Sequence, residues 1–123
     1  MSKNTHVLYI DDDPANLDTV SRALSRSGHI VLVARTGQAG LEIAERERPD
    51  VILLDILLPD MNGFEVCEQI RSKPRLKKIP VIGLTASAMD GDRRRSLSSG
   101  FDAYLAKPIA RVELFNMIER VTS

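Results

Sequence analysis

A single cysteine, Cys67, stands among the 123 residues, so the chain can close no internal disulfide and offers no thiolate zinc site. The two histidines, His6 and His29, lie far apart without ligand spacing, which removes the common imidazole metal motifs as well. An excess of charge is also missing. Seventeen Lys and Arg balance 17 Asp and Glu, so no chain-wide field draws the protein to phosphate backbones or anionic lipid. Nucleic acid and membrane are accordingly set aside as direct partners. No apolar run approaches the ~20 residues of a bilayer span. The opening MSKNTH runs straight into VLYI, without the hydrophobic segment and cleavage site of a secretion signal. A mature chain in a reducing, cytoplasmic setting is expected. Linkers, repeats and low-complexity segments are absent too, and the length and 43% hydrophobic content suit one domain over 1–123.

What the chain does have is alternation. Short apolar runs rich in β-branched residues, Val7 to Ile10, Ile30 to Val33, Val51 to Leu54, Val81 to Leu84 and Ala103 to Leu105, are each followed by a longer amphipathic stretch. Near-continuous hydrophobicity suits strands covered on both faces, as in parallel sheets. Helical spacing joins Leu17, Val20 and Leu24, then Leu41 and Ala44, then Phe64, Cys67 and Ile70, and finally Val112, Phe115 and Ile118, or Met117 with Val121. Asp13-Pro14 reads as an N-cap with proline in the first turn, and Gly28 stands where a left-handed C-cap belongs. A fourth helix is expected over Met89 to Ser99, interrupted in its amphipathicity by Arg93, Arg94 and Arg95. The basic connection Ser72 to Lys78 reads as a solvated loop, Gly37 to Gly40 as the start of the second helix, and Cys67 as a buried core thiol. Five strand-plus-helix units with right-handed crossovers make a doubly wound α/β fold, whose ligands bind beyond the carboxyl ends of the strands.

The residues at those ends converge in space. They are Asp11, Asp12 and Asp13 after the first run, Asp55 after the third, Thr85 and Ala86 after the fourth, and Lys107-Pro108 after the fifth. A carboxylate pair from one strand and a third carboxylate from a neighbour are costly to assemble unless a cation or a proton relieves them. Oxygen ligands without His or Cys select a hard ion, Mg²⁺, with Mn²⁺ able to substitute. Lys107 and the Thr85 hydroxyl complement an anion at such a metal, and Asp55 is the carboxylate placed to act as nucleophile toward a phosphoryl group.

Four strings carry a resemblance in the right order and strand context: VLYIDDD, VILLDILLPDMNG, GLTASA and YLAKP. Together they resemble the receiver domain of two-component response regulators over essentially the whole length. The resemblance implies a flavodoxin-like, five-stranded parallel sheet in the order 2-1-3-4-5 with five flanking helices. It makes Asp55 the phosphoacceptor, with Pro59 four residues later and Gly63 eight later. It assigns Asp11, Asp12, Asp55 and the backbone carbonyl of Leu57 to the metal, with Asp12 the more direct of the acidic pair. Thr85 and Tyr104 become the switch pair, and Lys107 the phosphoryl-binding cation, in front of a peptide bond that is commonly cis in receivers. Leu57 and Ser87 are expected to tune attack by water, and apolar Leu57 implies a long-lived phosphoryl group.

The resemblance also implies partners. The donor is expected to be a histidine kinase or a histidine phosphotransfer protein, and the fourth helix, fifth strand and fifth helix form the readout face. The chain reads as a stand-alone receiver or as one cut from a longer protein, and a downstream protein is the expected target, as for stand-alone and hybrid-kinase receivers. A phosphorylation-dependent homodimer stays open. The module is read as a phosphoacceptor with self-catalysed transfer and autodephosphorylation, not a turnover enzyme. The alternative is a receiver-like interaction module that is not phosphorylated. A small-molecule phosphatase would need a general acid at position 57, and a flavodoxin-type electron carrier would not place three aspartates against FMN.

Overall fold

The computed structural model describes residues 5–85 and 100–122. Five strands, β1 (His6–Ile10), β2 (Ile30–Ala34), β3 (Val51–Asp55), β4 (Val81–Thr85) and β5 (Ala103–Ala106), form one sheet in the order β2-β1-β3-β4-β5. Every neighbouring pair is parallel, in the order the sequence leads one to expect. Helices α1 (Pro14–Arg26), α2 (Gly37–Glu47), α3 (Gly63–Ser72) and α4 (Arg111–Thr122) flank it. The five expected helices are thus four among the described residues. The one expected over Met89–Ser99 falls outside them, as do Ala86, Ser87 and Arg93 to Arg95.

Side chains of successive strand residues point to opposite faces, and here they feed two separate cores. Val7, Tyr9, Val51 and Leu53 pack with Leu17 and Leu24 of α1 and with Leu114 and Ile118 of α4. Leu8, Ile10, Ile52 and Leu54 pack on the other side with Leu41 and Ala44 of α2 and with Val66, Cys67 and Ile70 of α3. The central strands β3 and β4 are buried along their whole length. Edge strand β2 instead leaves Ile30 and Val33 41% and 45% exposed, because only β1 pairs with it. Cys67 is fully buried, and that burial pushes its thiol up to about 11.

The helix signals behave as read. Asp13 accepts from the Ala15 N–H at 2.9 Å, Pro14 opens α1, and Gly28 beyond its end takes φ +92°, a conformation a side chain would strain. Two expectations need correction. In α4 the inward positions are Leu114 and Ile118, one turn apart, while Val112 lies about 200° around the helix from Leu114 and is 70% exposed. The basic connection before β4 is not solvated throughout. Leu76 at its centre is fully buried among the α2 and α3 side chains, a burial that stabilises by about 2 kcal/mol, while Lys77 and Lys78 remain exposed.

Arg71, near the end of α3, ties this connection to the start of β5. Its Nη1 donates to the carbonyls of Lys77 at 2.8 Å and Ile79 at 2.7 Å. Its Nε and Nη2 donate to the Gly100 carbonyl at 2.9 and 2.7 Å, and Nη2 also reaches Asp102 Oδ2 at 2.6 Å. That same carboxylate oxygen accepts the Val81 N–H at 2.8 Å. Five bonds from one planar fork cannot be reproduced by an ammonium. Arg71→Ala should therefore lower stability by about 3 kcal/mol, with Arg71→Lys recovering only a minor part, both read from urea unfolding.

Candidate functional site

The alternation that builds the cores also builds the site. Asp11 continues the row of Val7 and Tyr9, Asp55 that of Val51 and Leu53, and Lys107 that of Ala103 and Leu105, all on the α1 and α4 side of the sheet. β1 and β3 are adjacent, and β5 lies one strand beyond β4. Three side chains far apart in sequence thereby meet at one edge. Ligand oxygens of Asp11, Asp12 and Asp55 all lie within 4.8 Å of one another. Lys107 Nζ donates to Asp55 Oδ2 at 3.0 Å and to Asp11 Oδ2 at 3.2 Å.

The carboxylates differ in their surroundings. Asp11 is fully buried, its Oδ1 accepting the Asp13 N–H at 3.0 Å and its Oδ2 the Tyr9 hydroxyl at 2.8 Å. Burial works against its charge, but the Asp13 N–H, the Tyr9 hydroxyl and the Lys107 ammonium outweigh it and hold the carboxyl below the usual carboxylate range. Asp55 goes the other way. Burial raises it above that range, and Asp11 adds to the effect, against the opposing pull of Lys107 and of the Leu57 N–H, which reaches Asp55 Oδ1 at 3.1 Å. Lys107 is itself partly desolvated, yet Asp55 and Asp11 together raise its pKa and keep it a cation. Asp12 is exposed at the mouth. Its position and its freedom from burial make it the carboxylate most open to an added cation.

Thr85 ends β4 and is buried, and its carbonyl accepts the Lys107 N–H at 2.7 Å, which pins the end of β5 to the end of β4. The Lys107-Pro108 peptide is cis. Tyr104 is half-buried in β5, level with Gly83 of β4. Leu57 lies just past Asp55 with its side chain 70% exposed.

Between Asp55 and α3 the chain turns back on itself. Leu57 pairs with Asn62 in an antiparallel bridge, and the Gly63 N–H donates to the Ile56 carbonyl at 2.6 Å. A Cβ on Gly63 would stand 2.8 Å from Ile56 Cα and 2.9 Å from the Asp55 carbonyl oxygen, so only glycine fits eight residues past Asp55. Asn62 and Glu65 close a capping box at the start of α3. Two participants were not read from the sequence. Tyr9 could have been found as the one polar-tipped residue in an apolar strand, in the same row as Asp11. Asp60 accepts the Gly37 and Gln38 N–H groups at 2.8 and 2.9 Å, which hold its carboxyl below the usual range; no local pattern points to these partners 22 and 23 residues away.

An all-oxygen acidic cluster at the carboxyl edge of a 2-1-3-4-5 sheet, closed by a lysine from the last strand, has counterparts among known proteins. The family model of the response regulator receiver domain matches residues 7–119, and the chain belongs to that family, the signalling modules of two-component systems. An uncharacterised 14.6 kDa protein of Leptolyngbya boryana is 38% identical over 114 residues, 93% of this chain and 87% of that one. The response regulator PleD of Caulobacter vibrioides is 37% identical over 119 residues, and there the match covers 97% of this chain but 26% of the relative. The receiver domain of the sensor histidine kinase PA1611 of Pseudomonas aeruginosa, solved with a magnesium ion coordinated in its active-site cleft, superposes with a TM-score of 0.90 at 34% identity, covering 98% of this chain and all of that one. Among the described residues no helix is long and apolar enough to cross a membrane.

Lys107 bonds two carboxylates at once, and only 21% of its side chain is exposed. Breaking a buried pair by removing one partner costs about 3–5 kcal/mol, and partial exposure lowers that here. Lys107→Met should destabilise the metal-free protein by about 2 kcal/mol, measured by urea unfolding in EDTA.

Proposed function

We propose that Asp55 accepts a phosphoryl group from the phosphohistidine of a histidine kinase or histidine phosphotransfer protein, in a Mg²⁺-dependent reaction, and that the acyl phosphate changes which protein the domain binds. The observation that carries this reading is the gathering of three carboxylates within 4.8 Å, with an ammonium 3.0 Å from Asp55.

The donor set suits a small hard cation. It is entirely oxygen, it carries more negative charge than Lys107 neutralises, and its exposed member, Asp12, opens to solvent. Asp11, Asp12 and Asp55, with the Leu57 carbonyl, would hold Mg²⁺, or Mn²⁺ in its place. When bound, the ion supplies Lewis-acid charge to the phosphoryl oxygens. The rest of the chemistry falls to the chain. A carboxylate oxygen of Asp55 attacks phosphorus, the P–O bond forms as the P–N bond breaks, and the imidazole leaves with the electron pair and takes up a proton. The ionised Asp55 that this step needs is held by Lys107 against its burial. Phosphoryl transfer through a loose transition state asks for in-line placement and charge stabilisation rather than a strong base, so a weak nucleophile suffices. Lys107 then follows the charge onto the phosphoryl oxygens and the Thr85 hydroxyl donates to one of them. Tyr104 turns inward as Thr85 moves, and the face around β5 and α4 carries the change to a downstream protein in the cytoplasm.

Intact mass after incubation with a small acyl phosphate tests the reading. One phosphoryl increment should appear with Mg²⁺, fail with EDTA and vanish in Asp55→Asn. A folded protein that binds Mg²⁺ and takes no increment would instead be an interaction module that is not phosphorylated. Because the Leu57 side chain is exposed beside the acceptor and has no group to orient water, Leu57→Asn should shorten the phosphoryl lifetime, seen as faster loss of the increment.

A further inference from the structure

The chain between β3 and α3 must present the Leu57 carbonyl to the metal, and its restraints divide into two sets. Its base is closed internally, by the Leu57–Asn62 bridge, by the Gly63 N–H on Ile56 and by the Asn62–Glu65 capping box. Its tip is held from outside. Asp60 Oδ1 accepts the Gly37 N–H at 2.8 Å and Oδ2 the Gln38 N–H at 2.9 Å. These two N–H groups belong to the first turn of α2, where no carbonyl of the helix can reach them. The side chain of Thr36, the N-cap, accepts the Ala39 N–H and its carbonyl the Gly40 N–H, so Asp60 completes the cap from a different part of the chain. The next residue, Met61, is fitted to the same spot: a Cβ on Gly37 would lie 2.6 Å from Met61 Cγ and 3.0 Å from its Sδ. Helix α2 is a firm post for this attachment, since Gly40, Leu41 and Ala44 are buried against the sheet.

We propose that Asp60 is a positioning residue of the metal and phosphoryl site. By clamping the tip of the 56–62 turn onto the N-terminus of α2, it holds the Leu57 backbone where the cation needs an oxygen. The inference rests on the functional reading above. It makes α2 part of the site without supplying a ligand, much as groups behind a first coordination sphere orient the ligands themselves. It also requires reciprocity: a cation that favours one placement of the turn must favour the Asp60 clamp to the same degree.

Mg²⁺ titration calorimetry of the full chain tests it, on wild type, Asp60→Ala and Asp60→Asn, at a temperature where thermal melts show all three folded. Asp60→Ala should bind Mg²⁺ about tenfold more weakly. Asp60→Asn loses the charge and keeps one acceptor oxygen, with its NH2 set against the second α2 N–H, so it should fall between wild type and Asp60→Ala. In wild type, Mg²⁺ should also slow amide hydrogen exchange at Gly37 and Gln38, and this effect should disappear in Asp60→Ala. Unchanged affinity in Asp60→Ala overturns the inference. So does exchange at Gly37 and Gln38 that ignores Mg²⁺. A wild-type chain that takes up neither Mg²⁺ nor a phosphoryl group overturns the functional reading, and this inference with it.

Discussion

Three carboxylates within 4.8 Å repel one another, and the ammonium of Lys107 between Asp11 and Asp55 makes their assembly tolerable. Much of the fold can be seen as the means of delivering that cation. β5 pairs only with β4 and has four residues, yet it is held at both ends: by the Asp102–Arg71 pair before it, and by the Lys107 N–H on the Thr85 carbonyl after it. The compensation is incomplete, since one ammonium faces three acidic groups. The negative charge left over is what the proposed divalent cation would offset, which would tie the stability of the resting site to its chemistry.

The same crowding separates the roles of the carboxylates. Among the described residues Asp11 accepts from Tyr9, Asp13 and Lys107 and is held ionised, whereas Asp55, which accepts from Leu57 and Lys107, is pushed up by its burial. Tyr9 contributes by donating to Asp11 and not to Asp55, and burial together with that bond raises its own pKa.

The strands and the convergence of Asp11, Asp12, Asp55 and Lys107 were legible from local pattern, and the order of the strands from the resemblance to receiver domains. Apolar runs mark strands, Asp13-Pro14 marks a helix start, and residues at strand ends must converge in a parallel sheet wherever they lie in the chain. Other features depend on which distant atoms happen to meet, and these could not be read. Leu76 looks like one apolar residue in a basic loop until α2 and α3 close over it. Arg71 and Asp60 look like ordinary surface charges, although their partners are backbone groups, which leave no mark in the sequence. In α4 several apolar residues were compatible with more than one inward face, and packing against β3, β5 and α1 selected Leu114 and Ile118 over Val112.

The sheet keeps its two cores out of contact, and that separation bears on how such a chain can change. Substitutions in the layer of α2 and α3 and in the layer of α1 and α4 share no side-chain partners, so their effects on stability should combine additively across the sheet. Each layer can then drift on its own. The charged edge stands at the strand ends, while the helices on one side can be rewritten for a new companion without renegotiating the packing on the other.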